Sequence, residues 1–512
     1  MLTVSLFIEL LRTRPRLIFW MAVLAQAAVW ILVPSLFYAS PPGEVADVIA
    51  IGYGFPFGSE LGPPLAYWFA EIAFRLGGLP GVYTLSQLCV IVTYWAVFQL
   101  GSLTVGERHA ALATLLMAGV TTLSVPSPDF GPAILSMPLW ALALLHFWRA
   151  IGLDQRGYWY ALAVDIGLLL LTTYMGLILF GLLFVFAFVT GRGTKQLRTM
   201  HPWLAGLIVV VMLFPHLVWI DQASGVAWPK LSQALSAASI NQNLYSWLRL
   251  LGILFVSHAG LIILIAVASN LARVRNAPAA IVARPGVEPF ARSFVYFFAI
   301  VPPLVVTSVA VVINQATPVA LAPLIVLSGL AVVLAAGDRI RIHHQRIIAP
   351  TWAAVLLMPP AIAAFAIIVV PWTGIDLRIN QPSVAMTQFL SESFERRTGT
   401  PLKVVGGDTR LASLLALLAP SRPVIFVDDK PDRPVTRKDI DAKGAIVVWL
   451  AADTAGAPPP AIRAAFPDLV PEVPRAFERP VQGSLPLFRI GWGMIRAKAP
   501  GTAPAATPTT PQ

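Results

Sequence analysis

The chain is written in long apolar runs separated by short polar breaks. Runs near 17–38, 83–104, 108–125, 132–150, 158–173, 175–190, 203–221, 248–270, 293–313, 318–337 and 351–371 approach the length of a bilayer crossing. Such a crossing takes about 20 mostly apolar residues for about 30 Å of hydrocarbon. The pattern therefore predicts eleven transmembrane helices. The first run follows Arg12, Arg14 and Arg16 and has no small-residue cleavage site after it, so it reads as a retained helix, not a signal peptide. The runs 158–173 and 175–190 are parted only by Thr172, Thr173, Tyr174 and Gly176. The longest outward loop of the membrane part extends from Ala39 to Val82.

From Asn380 the pattern changes. Helix-like stretches, Ser383–Arg396 and Thr409–Leu418, alternate with β-type runs at Leu402–Val405, Val424–Val427, Ala445–Leu450 and Leu485–Ile490. The alternation predicts a small α/β domain. The expected organisation is a membrane domain over 1–377, an α/β domain over 378–496 and a disordered Ala/Pro/Thr-rich tail over 497–512. Gly406-Gly407-Asp408 follows a strand and opens a helix. It reads first as a tight turn with Asp408 as N-cap, and second as an anion cradle at a helix N-terminus.

Composition agrees with this architecture. Apolar residues make up 57% of the 512 and charged residues only 12%, about half the charge density of a soluble globular chain. That excludes an ordinary cytosolic enzyme, a disordered protein and a disulfide scaffold. The single cysteine, Cys89, lies in an apolar run and can build neither an intrachain disulfide nor a thiolate metal site. The net charge of +11 invites a nucleic-acid reading, but the basic residues argue otherwise. With the N-terminus inside, sixteen Lys and Arg fall in cytoplasmic segments, and only Arg75, Lys230 and Arg249 in outward loops. The other seventeen follow Leu377, where twelve acids meet them. This asymmetry sets the N-terminus in the cytoplasm and the C-terminal domain outside. The expected fold is a polytopic α-helical membrane protein of about eleven transmembrane helices with a small C-terminal α/β domain on the outer face.

The outward loops hold the carboxylates. Glu44, Asp47, Glu60 and Glu71 lie in the first, among Tyr53, Phe55, Phe57, Tyr67 and Trp68, and Asp129 lies in Ser124–Gly131. Carboxylates at the mouth of an apolar bundle are partly desolvated, which suits proton transfer, and they offer oxygen ligands to a divalent cation. Glu60 and Glu71 read as solvated loop charges. Glu44 and Asp47 stand three apart, one helical turn if that stretch is helical. Within the spans, Asp165 and His146 each read as a member of an interhelical hydrogen bond, with no partner assigned. His216 and Asp221 approach the outer face, His258 is a further intramembrane group, and His343-His344 belongs with lipid headgroups.

Several short motifs together resemble glycosyltransferase family 39, a polytopic group of the GT-C class. The family's acidic motif after the first helix matches Pro42-Gly43-Glu44-Val45-Ala46-Asp47, and its His-Pro-Pro-Leu-type turn matches Gly62-Pro63-Pro64-Leu65-Ala66-Tyr67-Trp68. Its Pro-acid step matches Pro128-Asp129, followed by Met137-Pro138-Leu139-Trp140 and Arg149. Thr173-Tyr174 stands at the junction of helices five and six, and Phe214-Pro215-His216-Leu217-Val218-Trp219 near the end of helix seven. The resemblance covers about 17–225, and the outer domain is similar to those of some bacterial members.

The resemblance implies an inverting membrane glycosyltransferase that moves a sugar from a polyprenyl-phosphate donor to a lipid, glycan or protein acceptor. The reaction would take place at the outer face of the inner (plasma) membrane. It implies Glu44 as base, with Asp47 orienting the acceptor or sharing a metal. Asp129, Pro63, Pro64, Tyr67, Tyr174, Thr173, His216 and Arg249 would line the substrate site. The one candidate cofactor is a divalent cation on Glu44 and Asp47. The chain departs from the pattern in leading with Glu, in placing Gly62 where the family has His, and in placing Thr173 where a Lys commonly precedes the Tyr. Losing that Lys removes a charge-assisted contact worth about 1.5–3 kcal/mol, for which Arg249 or a cation of the outer domain is the expected substitute. Two readings compete: a catalytically degenerate member that binds lipid-linked glycan or scaffolds other enzymes, and a transporter or flippase. The latter predicts inverted repeats, and none is evident. Membrane lipids are expected partners and nucleic acid is not.

Overall fold

The computed structural model describes Glu9 and residues 12–59, 62–125, 127–222, 240–269, 286–312, 319–337, 345–427, 435–451 and 456–498. Expectations for Glu60, Lys230, His343-His344 and the tail beyond 498 fall outside these residues. Two compact units result. One comprises Met1–Leu36 with Gly54–Ala364, the other Phe37–Tyr53 with Phe365–Gln512. These boundaries differ from the expected cut at 377, because the segment just after the first helix groups with the C-terminal chain.

In the first unit the apolar runs are helical, as hydrocarbon demands: every backbone N–H and C=O there must be paired within its own segment. Six described helices are long and apolar enough to cross a bilayer: Pro15–Phe37, Leu65–Thr104, Pro132–Gly152, His201–Gln222, Pro289–Val309 and Pro350–Thr373. Two bent pairs, Gly176–Val189 with Gly191–Leu197 (104°) and Leu244–Ser257 with Ala259–Val267 (46°), raise the number to at most eight. The chain is thus a multi-pass helical membrane protein, but the eleven expected crossings are not eleven long helices. Tyr158–Leu170 has 13 residues, a rise of about 20 Å. Glu107–Met117 has 11, and the run 318–337 is divided into a 3-10 turn, Val319–Ile325, and a short helix, Ser328–Ala336. Hydropathy registers the apolar length of a run and not the breaks within it.

The expected loop 39–82 is also largely helical. Its second half begins the 40-residue helix Leu65–Thr104, which kinks at Gly77 and Gly78. Gly78 has φ +61°, a left-handed conformation that glycine adopts without the Cβ penalty.

Small residues let these helices approach. A Cβ on Gly329 would lie 2.2 Å from the Ala113 carbonyl oxygen, and one on Gly119 2.5 Å from the Gly260 backbone. Such contacts replace the hydrophobic drive that is missing between helices in lipid. Buried polar groups add ties. Tyr94 donates to Gln26 Oε1 (3.1 Å), and Gln26 donates to the Leu123 carbonyl (2.8 Å). His146 Nδ1 and Asp165 Oδ2 lie 2.6 Å apart across two helices, so each makes the interhelical hydrogen bond expected of it, and its partner is the other. His258 Nε2 meets Ser328 Oγ at 2.7 Å.

The second unit carries a six-stranded sheet, with β1 Val404–Gly407, β2 Val424–Ile425, β3 Ala445–Leu450, β4 Val470–Pro471, β5 Arg475–Phe477 and β6 Phe488–Ile495. The order is β2-β1-β3-β6-β4, with β5 also on β6. β1 is parallel to β2 and β3, and β6 returns antiparallel on β3. Val404, Val447, Trp449, Phe426 and Phe466 form the core. Gly407 (φ +108°) leaves no room for a side chain, since its Cβ would lie 2.0 Å from the Val448 carbonyl oxygen. Asp408 then caps the helix Thr409–Leu418, accepting from the Leu411 N–H at 3.0 Å, so the Gly-Gly-Asp motif serves as turn and cap.

Replacing Gly329 by Leu should separate the helices Ser328–Ala336 and Glu107–Met117, at a cost of about 1–3 kcal/mol. Gly181, whose Cβ position is open, is the control. The expected outcome is a lower Tm in detergent for Gly329→Leu and an unchanged one for Gly181→Leu.

Candidate active site

The membrane unit gathers several of the expected residues around the break between Tyr158–Leu170 and Gly176–Val189. Thr172 turns its hydroxyl back to the Leu168 carbonyl (2.8 Å), and Thr173 Oγ1 accepts from the Met175 N–H (3.3 Å). Both residues thus satisfy backbone groups at helix ends, as Thr does readily. Tyr174 projects from this turn, 47% exposed. Its hydroxyl lies 3.1 Å from His216 Nε2, and the two rings stack. His216 Nδ1 lies 2.8 Å from the Phe57 carbonyl oxygen. A carbonyl only accepts, so Nδ1 carries a proton, and in the neutral ring Nε2 accepts from Tyr174. Burial pushes the Tyr174 phenol above its ordinary pKa, which keeps the hydroxyl protonated at neutral pH.

The loop preceding Leu65–Thr104 is fastened to the same place. The Leu65 N–H donates to the Leu171 carbonyl (2.9 Å), so the Pro63-Pro64 turn is tied to the break. Trp68 Nε1 donates to the Pro56 carbonyl (2.8 Å). Trp219 stacks on His216, with centroids 5.7 Å apart, and fills the space beside Gly58, where a Cβ would lie 2.3 Å from its ring. Tyr67 is only 1% exposed and belongs to the core. Asp129 is half-buried in the turn before Pro132–Phe147. Arg249 is exposed and makes no ion pair among the described residues. Asp221 is exposed at the end of its helix.

Glu44 and Asp47 lie in the second unit. The short helix Val45–Gly52 packs on Thr409–Leu418. Arg410 fastens the approach to it, donating to the carbonyls of Gly43 (2.7 Å), Pro41 (3.3 Å) and Arg378 (3.3 Å). The Ala39 and Ser40 N–H groups both reach the Ile379 carbonyl (3.0 and 2.9 Å). Glu44 is exposed at the N-cap. Asp47 is half-buried, and desolvation raises its pKa against the opposing pull of the Ser413 hydroxyl and the Arg410 guanidinium. Its Oδ1 and Ser413 Oγ are nonetheless buried without a well-formed hydrogen bond.

Residues 62–219 match the family model described as dolichyl-phosphate-mannose-protein mannosyltransferase. A comparison with curated protein sequences gives no match. Among solved structures the chain is similar to ArnT from Cupriavidus metallidurans bound to undecaprenyl phosphate, with TM-score 0.59 and 13% identity over 93% of this chain and 97% of that one. It is also similar to the apo state of that protein, with TM-score 0.57 and 15% identity over 93% and 97%. The chain therefore shares the fold of these structures.

The stretch matched by the family model contains Pro63, Pro64, Asp129, Thr173, Tyr174 and His216 and stops short of Glu44, Asp47 and Arg249. A divalent cation fits Glu44 and Asp47 poorly. No group of three or more His, Cys, Asp or Glu side chains among the described residues could hold a metal, and a guanidinium faces Asp47. Glu71 corrects an expectation. It is 1% exposed and pairs with Arg75 at 2.7 Å, where the sequence suggested a solvated loop charge. The i, i+4 spacing was the available signal. The sequence also did not single out Arg410 or the Phe57 carbonyl. Trp219, one helical turn past His216, stood in the motif Phe214–Trp219 without a role of its own.

Because burial raises the Asp47 pKa, its ionisation opposes folding. That penalty is absent below the unfolded value near 3.8 and grows as pH rises through the folded value. Asp47→Asn should therefore raise the Tm of the full chain at pH 7 and leave it close to wild type at pH 4. Equal Tm values at both pH values would refute the assignment.

Proposed function

We propose that this chain is an inverting GT-C glycosyltransferase of the inner membrane. On this reading it moves a sugar from a polyprenyl-phosphate donor to a lipid, glycan or protein acceptor at the outer face. The observation that carries the reading is the tethered set within the family-matched stretch. There the Tyr174–His216–Phe57 chain and the Pro63-Pro64 turn converge on one helix break. A lipid-linked donor needs its tail in hydrocarbon and its phosphate among hydrogen-bond donors at a place where backbone is no longer helical, and such a break supplies that. The structurally similar ArnT, which binds undecaprenyl phosphate, supports a polyprenyl-phosphate ligand for this chain too.

The donor-side roles fall on the membrane unit. Thr173 donates its hydroxyl to the phosphate, Tyr174 turns its hydroxyl proton from His216 to the phosphate when the donor enters, and Pro63 and Pro64 fix the turn. Tyr67 supports the turn from the core, and Asp129 shapes the cavity. Arg249, exposed and without an ion pair among the described residues, supplies the positive charge that Thr173 cannot. Glu44 and Asp47 carry the acceptor-side roles. Glu44 takes the proton from the acceptor hydroxyl as its oxygen bonds to the sugar C1 from the face opposite the phosphate; the bond from C1 to the phosphate oxygen breaks, polyprenyl phosphate leaves, and the anomeric centre inverts. Asp47 orients the acceptor. The basic residues set the N-terminus in the cytoplasm and the C-terminal domain outside.

A second reading, a member that binds the donor without transferring sugar, is favoured by Thr173 and Gly62 standing where the family pattern has Lys and His. One assay separates the two. Purified protein is given polyprenyl-phosphate sugars, and products are followed by mass spectrometry. Transfer should fall about 10²–10⁴-fold in Glu44→Gln with donor binding retained, as expected for loss of a general base, whereas Tyr174→Phe should weaken donor binding. Donor binding without turnover in the wild type would establish the second reading, and wild-type rates in Glu44→Gln would remove Glu44 from the chemistry.

A further inference from the structure

The membrane unit has a second feature, at the opposite end of the helices that carry Tyr174 and His216. An apolar cavity of about 160 Å³ opens between Tyr158–Leu170, Gly176–Val189 and His201–Gln222. Trp159, Ile166, Leu183 and Val209 line it, and Gly206 forms part of its wall. Trp203, at its mouth, precedes His216 by thirteen residues on one helix, roughly 20 Å at the α-helical rise. It is therefore not the place proposed above for the donor phosphate.

The mouth is built from a chain reversal. After Val189 the helix Gly191–Leu197 turns by 104°, away from the course of a crossing. Leu197, Pro202 and Trp203 border the opening, and the Trp203 indole N–H donates to the Leu197 carbonyl (3.0 Å), fixing the ring there. His201 is held by Tyr160 at 2.9 Å. The polar side of this reversal is cationic. Arg192 pairs with Glu288, and Lys195 is 77% exposed, with Asp154 4.0 Å away. Arg198, next to the bordering Leu197, is exposed and has no ion pair among the described residues. An apolar slot with a fixed indole at its mouth, bordered by a reversal that carries exposed Lys195 and Arg198, matches a ligand with an acyl chain and an anionic head.

We propose that this groove binds one anionic glycerophospholipid, with an acyl chain between the three helices and its phosphodiester against Arg198 and Lys195. The charge at the mouth selects the lipid class and the apolar walls retain it. Gly206 gives a clean way to close the groove, because a Cβ there meets nothing within 4 Å. A leucine at this position fills the slot without displacing a helix.

The test is native mass spectrometry of the full chain, released from vesicles of equimolar phosphatidylglycerol and phosphatidylcholine. Wild type should retain phosphatidylglycerol in preference. Gly206→Leu should lose bound lipid of either class while keeping the wild-type Tm in detergent. Arg198→Gln should still retain lipid, but with its preference for phosphatidylglycerol reduced about fivefold, the contribution of one cationic side chain at an anionic leaflet. Undiminished phosphatidylglycerol retention in Gly206→Leu, or no preference in the wild type, would overturn the proposal. Loss of sugar transfer with the lipid pattern intact would bear only on the donor site.

Discussion

Everything in the membrane unit follows from the absence of water in hydrocarbon. A backbone N–H or C=O there has no solvent partner, and leaving one unpaired costs several kcal/mol, so the chain crosses as helix or not at all. Polar chemistry is confined to places where a helix ends and its terminal groups need other partners. The turn at Thr172–Tyr174 is such a place. The two threonines settle the loose backbone groups with their hydroxyls, and this frees Tyr174 to face outward. The other end of the same helices, where Gly191–Leu197 folds aside, is a second one. Both proposed sites are consequences of breaks in helices that hydropathy alone would draw as continuous.

How much of this was legible can be traced residue by residue. Membrane character and the α/β nature of the C-terminal segment were plain, because apolar runs and strand–helix alternation are local patterns. Ala445–Leu450 and Thr409–Leu418 form with the expected bounds, since each is set by its own residues and a neighbouring cap. The number of crossings was not legible. Tyr158–Leu170 is as apolar as a spanning helix but too short for one, and nothing in a hydropathy window marks its end. The partnership of Tyr174 with His216 was hidden for another reason: the third member is a backbone carbonyl, of Phe57, which no residue type announces. Glu71 was misread because its burial depends on a helix starting at Leu65, where the sequence showed only a long loop.

The acidic segment shows how covalent neighbourhood and folding neighbourhood differ. Glu44 and Asp47 follow the first transmembrane helix by a few residues, so in sequence they belong to the membrane domain. Arg410, more than 360 positions later, donates to the Gly43 and Pro41 carbonyls, and the helix bearing Asp47 packs on the one bearing Arg410. Hydrogen bonds from a charged donor are worth about 1.5–3 kcal/mol each, more than ordinary loop contacts supply. They are sufficient to make the segment part of the C-terminal unit.

That membership has a chemical consequence. Asp47 owes its raised pKa to burial beside Thr409–Leu418, and the Ser413 hydroxyl and Arg410 guanidinium that oppose the shift come from that same helix. A buried carboxylate oxygen without a well-formed partner is costly, and packing of the C-terminal unit must sustain it. The protonation of Asp47 is therefore governed by a domain whose sequence lies at the far end of the chain. Substitutions in Thr409–Leu418 reach Asp47 directly, whereas those around Tyr174 act through the hydrogen-bonded chain to His216 and Phe57 within the membrane unit.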